Sequence, residues 1–216
     1  MQELIQVADE LDGLSGRLRG LELPPAQAEV AGELDKLSAL LRQPAAVGQE
    51  RRYCAPVGTQ EERASGKIWP GGWVDATGFL VWYFNKWWHT GADLNLNTPH
   101  WDADRDAPVY SIADGEVYAV RNYSGWENVL CIRHHECLSR YAHVENIQVQ
   151  EGERVAMGQF LARIGNAGGR YPYHLHFDIA RLGSRMESYP GDWPGANKAR
   201  VERDYLDPLA FLRSKV

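Results

Sequence analysis

The first 43 residues or so carry apolar positions with the period of an α-helix. Apolar side chains recur every three or four residues, at Leu4, Ile5, Ala8, Leu11, Leu14, Leu18 and Leu21. Such spacing is typical of the buried face of an amphipathic helix. Pro24-Pro25 interrupts the run, a second apolar run covers residues 28–41, and Pro44 ends it. The pattern predicts an N-terminal helical hairpin over residues 1–48, which we interpret as a packing or dimerising arm without chemistry of its own.

From about Tyr53 onward the helical period disappears. Short runs rich in β-branched and aromatic residues are separated by Gly, Asn and Asp, which indicates strands and turns. The Asp114-Gly115 pair predicts a tight turn that joins the first two of these strands. We expect a mainly β domain over residues 49–216, an antiparallel sheet or sandwich with an open groove and a short helical tail after Asp207. Its strands are predicted at 109–112, 116–121, 128–134, 139–144, 160–164 and 174–180.

Composition and charge narrow the class of protein. Hydrophobic residues make up 44% of the 216 positions and charged residues 24%, as in globular domains. The formal net charge of −6 argues against a nucleic-acid partner. No stretch is long and apolar enough to cross a membrane, and Met1 to Gly20 lacks the apolar run of a secretory signal. We therefore expect no nucleic-acid partner and no membrane span.

Aromatic residues and cysteines are the unusual part of the composition. Six of the eight Trp fall within residues 69–101, and we expect most of them in the core and one or two in the wall of a substrate groove. The cysteines are odd in number and form no C-x-x-C motif. We expect three free thiols, with a bridge between Cys131 and Cys137 as the open alternative.

Four histidines and one aspartate form the candidate chemistry. They are His89 and Asp93 in HTGAD, His143 in YAH, and His174 and His176 in HLHF. A His-x-His on a strand turns both imidazoles to one face, because side chains alternate with a period of two. Three such ligands with one open position suit a catalytic zinc. The spacing alone leaves open whether both histidines of the pair bind metal or one of them catalyses.

Two other polar clusters have simpler interpretations. His134, His135 and Glu136 are interpreted as a polar strand end at a solvated turn rather than as a second metal site. The alternating Asp102, Asp104 and Asp106 lack the Gly and the closing Glu of a calcium loop. We expect a solvated loop there, with an accessory cation as the alternative.

Several of these segments together resemble the lysostaphin/LytM-type zinc endopeptidases, which cut peptidoglycan peptides. The resemblance covers roughly residues 53–212 and rests on HTGADLNLN, APVYSIADGEV, YAHV, EGERVAMGQFLARIGNAGG and HLHFDI, in the order of the family. It implies one zinc ion bound by His89, Asp93 and His176. It also implies that His143 and His174 are catalytic and that Tyr83 matches a tyrosine that assists the transition state in some members.

The resemblance sets the functional expectation. We expect zinc-dependent hydrolysis of amide bonds in peptidoglycan cross-links or stem peptides, at the cell envelope or outside the cell. The absence of a signal leaves residence in the cytoplasm until release as an alternative. A regulator of another wall hydrolase that acts through the helical arm is the second function, and a phosphoryl carrier of similar β architecture is disfavoured by Asp93 and the His-x-His. The arm could also form a homodimer or bind a protein partner.

Overall fold

Antiparallel β-structure dominates the computed structural model of the chain, which divides into two units, residues 1–50 and 51–216. The structure describes residues 2–19, 30, 32–35, 38, 53–64 and 71–215. No helix within these ranges has the length and apolarity that a membrane span requires.

The first unit contains helix α1, Gln2–Arg19, and a second helical segment that is described at residues 30, 32–35 and 38. Arg19 forms an ion pair with Asp35, and Ser38 donates a hydrogen bond to Asp12. The later residue of the first segment, Arg19, contacts the earlier residue of the second, Asp35, and the earlier Asp12 contacts the later Ser38. The two segments therefore run antiparallel, as in a helical hairpin. The remainder of the predicted hairpin lies outside the described residues.

The described part of the second unit contains the strands and four short helices. The strands are β1 Trp73–Asp75, β2 Trp82–Tyr83, β3 Trp87–Trp88, β4 Ala92–Leu96, β5 Pro108–Tyr110, β6 Gly115–Tyr123, β7 Glu127–Arg133, β8 Cys137–Ala142, β9 Val144–Glu145, β10 Arg154–Val155, β11 Phe160–Ile164, β12 Leu175–Arg181 and β13 Tyr205–Leu206. The helices are α2 Gln60–Ala64, α3 Arg185–Ser188, α4 Lys198–Asp204 and α5 Pro208–Arg213. Asp207 caps the last helix by accepting hydrogen bonds from the backbone of Leu209 and Ala210, and this helix is the predicted tail.

The strands form one large sheet, one small sheet and a ribbon. The large sheet has eight strands in the order β1-β4-β12-β8-β7-β6-β10, with β13 also paired to β12. The small sheet has the order β5-β11-β9, and the ribbon is β2-β3. Apolar side chains of both sheets, such as Leu130 and Phe177 from one and Val109 and Leu161 from the other, share a single buried cluster. The predicted mainly antiparallel β class is confirmed.

The predicted tight turn at Asp114-Gly115 is wrong as a hairpin, since the strands on either side of it belong to different sheets. Strand β5 pairs with β11, whereas β6 pairs with β7 and β10. A side chain at Gly115 would lie 2.6 Å from the backbone oxygen of Arg133. Position 115 therefore needs a glycine, because the backbone there lies close to β7. The chain passes from the small sheet to the large sheet at this point.

The expectation that most Trp in residues 69–101 lie in the core is also wrong. Trp82 and Trp101 are 40% and 70% exposed, and none of Trp73, Trp87 and Trp88 is fully buried. Most of these residues lie on an edge strand or on the separate ribbon, where only one side can be covered. Trp69 lies outside the described residues.

The three cysteines are free thiols, as predicted, and all are buried. Cys131 packs with the cluster that contains Ala119 and Ala142, whereas Cys137 belongs to the core shared by the two sheets. The two sulfurs therefore lie on different faces of the large sheet, and this excludes a disulfide bond between Cys131 and Cys137.

Candidate metal centre

Three adjacent strands of the large sheet carry most of the predicted site. Asp93 on β4 and His176 on β12 are direct register partners, and His176 faces Ala142 of β8 on its other side. His143 is the residue that follows Ala142. The sheet register therefore brings together residues that are 33 to 83 positions apart in the chain.

His89 reaches this point from the connection between β3 and β4. Its backbone N–H donates to Val81, and its Nδ1 donates to the backbone oxygen of Gly78 over 3.1 Å. These two contacts leave Nε2 with its lone pair aimed at the sheet. That Nε2 lies 3.1 Å from Asp93 Oδ1 and 3.1 Å from His176 Nδ1.

The three donor atoms form a nearly equilateral triangle that fits one metal ion. The third side, from His176 Nδ1 to Asp93 Oδ1, is 2.9 Å. Ligands of a tetrahedral zinc about 2.0–2.2 Å from the ion are separated from one another by about 3.3–3.5 Å. The triangle needs to widen by only a few tenths of an ångström. Among the described residues, this trio is the one His/Cys/Asp/Glu group whose ligand atoms converge in this way.

Hydrogen bonds behind the ligands fix the tautomers. His176 donates from Nε2 to Asp178 Oδ2 over 2.9 Å, which leaves Nδ1 as the atom that faces the other two donors. The backbone oxygen of Gly78 accepts the Nδ1–H of His89, which leaves Nε2 of His89 to face the other two donors. Support of this kind from a carboxylate or a carbonyl is common behind zinc-binding histidines.

His143 lies where the chain passes from the large sheet to the small one, between β8 and β9. Its backbone has a φ of 61°, in the left-handed region that non-glycine residues seldom adopt. Two contacts hold this conformation, since Gly165 N–H donates to its backbone oxygen over 2.8 Å and its Nδ1 donates to the oxygen of Trp126 over 2.9 Å. The imidazole therefore presents a bare Nε2 to the metal site.

His174 is held in the same tautomer. Its Nδ1 donates to the backbone oxygen of Pro172 over 2.8 Å, and its Nε2 lies 3.8 Å from Asp93 Oδ1. The rings of His143 and His174 have centroids 4.8 Å apart. Two imidazoles with free acceptor nitrogens thus stand side by side next to the donor triangle.

Burial and neighbouring charge set the pKa values of these groups. Burial, followed by the adjacent His174 and His176, lowers the pKa of His143 to about 3, and burial also lowers the pKa of His174. Burial opposes the charge of His176, but Asp178 and Asp93 outweigh it and raise the pKa of His176 to about 9. Burial likewise opposes the charge of Asp93, but the two histidines that bond it hold its pKa well below the usual range.

A cavity of about 470 Å³ opens over the donor triangle. Tyr83, the third predicted catalytic residue, lines it, with its ring centroid 6.2 Å from that of His89. Aromatic side chains form most of the rest of the wall, namely Phe84, Trp87, Tyr123, Trp126, Tyr171, Tyr189 and Trp193. The structure therefore places all six predicted site residues around one cavity.

Sequence reasoning missed most of the aromatic wall and the support behind the ligands. Trp126 and Trp193 line the cavity, although the sequence drew attention to the Trp cluster at 69–101, of which Trp87 alone contributes. Asp178 carried a usable signal, because it continues the alternation of His174 and His176 on one strand face.

Neither secondary cluster, within the described residues, brings its ligand atoms together as the donor triangle does. His134 is buried, with Nδ1 bonded to Asp114 and Nε2 to Ser139, so the predicted solvated turn is wrong for this residue. Asp104 is also buried and accepts hydrogen bonds from Leu96 and Asn95, which ties the loop to β4. The loop is therefore not fully solvated.

Comparison with known proteins gives the family. The profile of peptidase family M23 matches residues 89–188, the segment that contains all the donor and imidazole groups described above except Tyr83. Lipoprotein NlpD of Yersinia enterocolitica is 36% identical over 84 residues, which are 38% of this chain and 86% of that protein. The chain belongs to peptidase family M23.

Other M23 relatives carry more specific names. Peptidoglycan DD-endopeptidase ShyB of Vibrio cholerae is 36% identical over 89 residues, 41% of this chain and 21% of ShyB. Murein hydrolase activator NlpD of Salmonella dublin is 36% identical over 80 residues, 36% of this chain and 21% of that protein. This chain thus spans about a fifth of the length of ShyB.

A solved M23-like structure supports the fold. A zinc-containing peptidase from Vibrio cholerae superposes with a TM-score of 0.50 at 26% identity, over 74% of this chain and 40% of that chain. The resemblance stated from the sequence is confirmed at the level of family and fold.

Proposed function

We propose that this M23 chain is a zinc-dependent endopeptidase that hydrolyses amide bonds in peptidoglycan cross-links or stem peptides. One observation carries the proposal: a donor triangle of the right size for zinc shares a cavity with two imidazoles that present bare Nε2 atoms. A purely structural metal site would require the ligands but not the two additional imidazoles of His143 and His174.

His89, Asp93 and His176 are the proposed ligands. Each offers one donor atom, with His176 giving up its Nδ1 proton when the ion binds, and the triangle leaves the side toward the cavity open. A zinc ion held there would supply Lewis acidity to the scissile carbonyl and to the attacking water. The chain itself supplies the orientation, through the bonds of His89 to Gly78 and of His176 to Asp178.

His143 and His174 are the proposed proton-transfer residues. An imidazole whose Nδ1–H is engaged by a carbonyl can accept a proton only at Nε2, and both rings turn that atom to the cavity. One accepts the proton of the attacking water, and the other stabilises or protonates the intermediate and the leaving amine. The two rings are close enough that only one of them is expected to carry charge at a time, since each imidazolium would repel the other.

Tyr83 and the aromatic walls have the remaining roles. Tyr83 lines the cavity, and its phenol is the proposed donor to the developing oxyanion. Burial, followed by the nearby Asp93, raises its pKa, so the hydroxyl keeps its proton at neutral pH. The walls formed by Trp126 and Trp193 exclude water from the reacting atoms.

The charge of the cavity favours an internal peptide bond as the substrate. Asp93 supplies the one carboxylate among the residues that line it, and none of those residues is Lys or Arg. The carboxylate of a peptide terminus would find no Lys or Arg in this wall to pair with. An uncharged stretch of backbone fits better, and the name of ShyB as a DD-endopeptidase points to a peptidoglycan peptide.

The test is digestion of purified peptidoglycan by the zinc-loaded full chain, with mass analysis of the released fragments. Cleavage that disappears in the His143→Ala variant would support the proposal, and the fragments would identify the bond. Intact peptidoglycan in the presence of one bound zinc per chain would count against it.

A regulator of another wall hydrolase is the second candidate, favoured by the likeness to the NlpD protein named a murein hydrolase activator. All the positions of the donor triangle and both imidazoles are present here, whereas a binding-only domain does not need them. Adding the His143→Ala variant to a wall hydrolase distinguishes the two functions, because a regulator would still change the rate of the hydrolase.

A further inference from the structure

Arg140 is a fully buried cation directly behind the site. It lies on β8, three residues before His143, and neither it nor its partner Asp178 has any exposed side-chain surface. Burying a guanidinium is costly unless every contact is supplied by the protein. The contacts of Arg140 reach three separate parts of the proposed catalytic machinery.

The first contact leads to the metal ligand. Arg140 Nε donates to Asp178 Oδ2 over 2.6 Å, and the same oxygen accepts Nε2–H of His176 over 2.9 Å. Arg140 therefore holds in place the carboxylate that fixes the ring of His176. A side chain at Gly91 would lie 2.7 Å from Asp178 Oδ1, so this carboxylate packs directly against the backbone at Gly91.

The second contact leads to the proposed proton-transfer residue. The guanidinium lies over the ring of Trp126 at 4.2 Å from its centroid, within the range of a cation–π contact. The backbone oxygen of Trp126 accepts Nδ1–H of His143. The position of Trp126 therefore determines the tautomer and the aim of His143.

The third contact leads to the cavity wall. Arg140 Nη1 donates to the backbone oxygens of Pro190 and Asp192, over 2.9 and 2.8 Å. The adjoining Gly191 and Trp193 line the cavity. One planar guanidinium thus joins the strand that carries the metal ligand, the turn that carries Trp126 and the segment that forms one wall.

We propose that Arg140 is a positioning residue that aligns the metal ligand His176, through Asp178, with the proton-transfer residue His143, through Trp126. The proposal deepens the proposed function and rests on its assignment of the zinc site. A lysine would keep the charge but could not maintain the planar fork that serves all three contacts. The alignment, rather than the charge alone, is what the site needs from this position.

The test compares the full chain with Asp178→Asn, Arg140→Lys and Arg140→Met. Zinc affinity is measured by competition with a chromophoric chelator, and the tautomers of the ¹⁵N-labelled imidazoles are read by NMR. The zinc-loaded wild type should show His143 protonated on Nδ1 and His176 protonated on Nε2 alone. Asp178→Asn should weaken zinc binding by about 10- to 100-fold. Both Arg140 variants should lose the single tautomer of His143, and Arg140→Lys should keep more of the zinc affinity than Arg140→Met.

A control separates positioning from general stability. Leu161→Ala removes a buried side chain of the small sheet, and it should destabilise the fold while leaving zinc affinity and tautomers unchanged. Folded Asp178→Asn and Arg140→Lys proteins with wild-type affinity and tautomers would overturn the inference. If Arg140→Met does not fold, these two milder variants still decide.

Failure of the proposed function has a different signature. If the wild type binds zinc but leaves peptidoglycan intact, the catalytic proposal falls, and the zinc and tautomer measurements still judge Arg140. If the wild type cleaves peptidoglycan and the variants match it in affinity, tautomers and kcat, the inference about Arg140 falls while the enzyme remains.

Discussion

The Nδ1–H of His143 donates to the backbone oxygen of Trp126 over 2.9 Å. This bond leaves Nε2 as the one acceptor of the ring and turns it into the aromatic cavity. Because the φ of His143 is 61°, a less constrained chain would not hold the ring in this position. The reactivity proposed for His143 therefore depends on backbone geometry as much as on the imidazole itself.

Replacing His143 with Ala should lower the rate of peptidoglycan cleavage by at least about 100-fold, because general acid–base catalysis contributes about 10²- to 10⁴-fold. Zinc content should stay near one per chain, since His143 is not part of the donor triangle. Release of soluble fragments and atomic absorption give the two values. His100→Ala, which alters an exposed loop histidine, is the control and should remain fully active. A fully active His143→Ala protein would show that the assigned role is wrong.

Replacing Asp93 or His89 with Ala should abolish stoichiometric zinc binding. Each change removes one corner of a triangle with sides of 2.9 to 3.1 Å, and two remaining donors do not form a closed zinc site. Metal analysis after exhaustive dialysis measures the loss, and chelation of the wild type should stop cleavage until zinc is returned. Asp102→Ala serves as the matched control on an exposed loop. Retention of one tightly bound zinc by Asp93→Ala would refute the ligand set.

Replacing Gly91 with Ala should destabilise the second unit by about 1–3 kcal/mol, as expected for forced overpacking. The added carbon would lie 2.2 Å from the backbone oxygen of Phe177, so β12 has to move. Urea unfolding of the full chain measures the change. Gly78→Ala is the control, because its nearest contact would be an ordinary 3.4 Å. Equal stability of the two variants would mean that the strands tolerate the displacement.

His134 should make stability depend on pH outside the metal site. Burial lowers its pKa to about 4, whereas the unfolded chain should titrate near 6.5. As pH falls from 6.5 to 4, the unfolded chain binds a proton at His134 before the folded chain does. The free energy of unfolding is therefore highest above pH 6.5 and decreases as the pH falls toward 4. The loss is on the order of 3 kcal/mol at most.

The measurement compares unfolding free energies of the wild type and His134→Gln at several pH values, both in chelator so that metal binding does not contribute. The wild type should lose more stability between pH 6.5 and 4 than the variant. Parallel pH profiles would show that His134 accepts a proton in the folded chain without cost.

The sequence was sufficient to predict the β class and six of the residues that line the cavity. Alternation along a strand places His174 and His176 on one side whatever the rest of the fold, so the His-x-His could be interpreted locally. Asp93 and His143 could be added because a metal centre and a catalytic base require such groups. Whether these four residues come together in space depends on the register between strands, which the local sequence pattern does not determine.

Features that depend on long-range packing could not be predicted. Trp126 follows a turn and Trp193 lies in a loop, and only the folded sheet shows that both flank the same cavity. The Asp114-Gly115 pair has the composition of a hairpin turn, but the partner of each flanking strand is distant in the chain. His134 has polar neighbours in sequence, yet Ser139 and Asp114 enclose it in space.

The pairing of Asp93 with His176 across β4 and β12 gives the proposed ion a mechanical role. A metal bound to both residues would cross-link two neighbouring strands of the large sheet, and so resist their separation. Any ligand that binds only the folded chain stabilises it by RT ln(1 + [L]/Kd), about 2.7 kcal/mol at a hundredfold excess over Kd. The unfolding midpoint would then rise with the concentration of free zinc, and loss of the metal would make the chain easier for proteases to degrade.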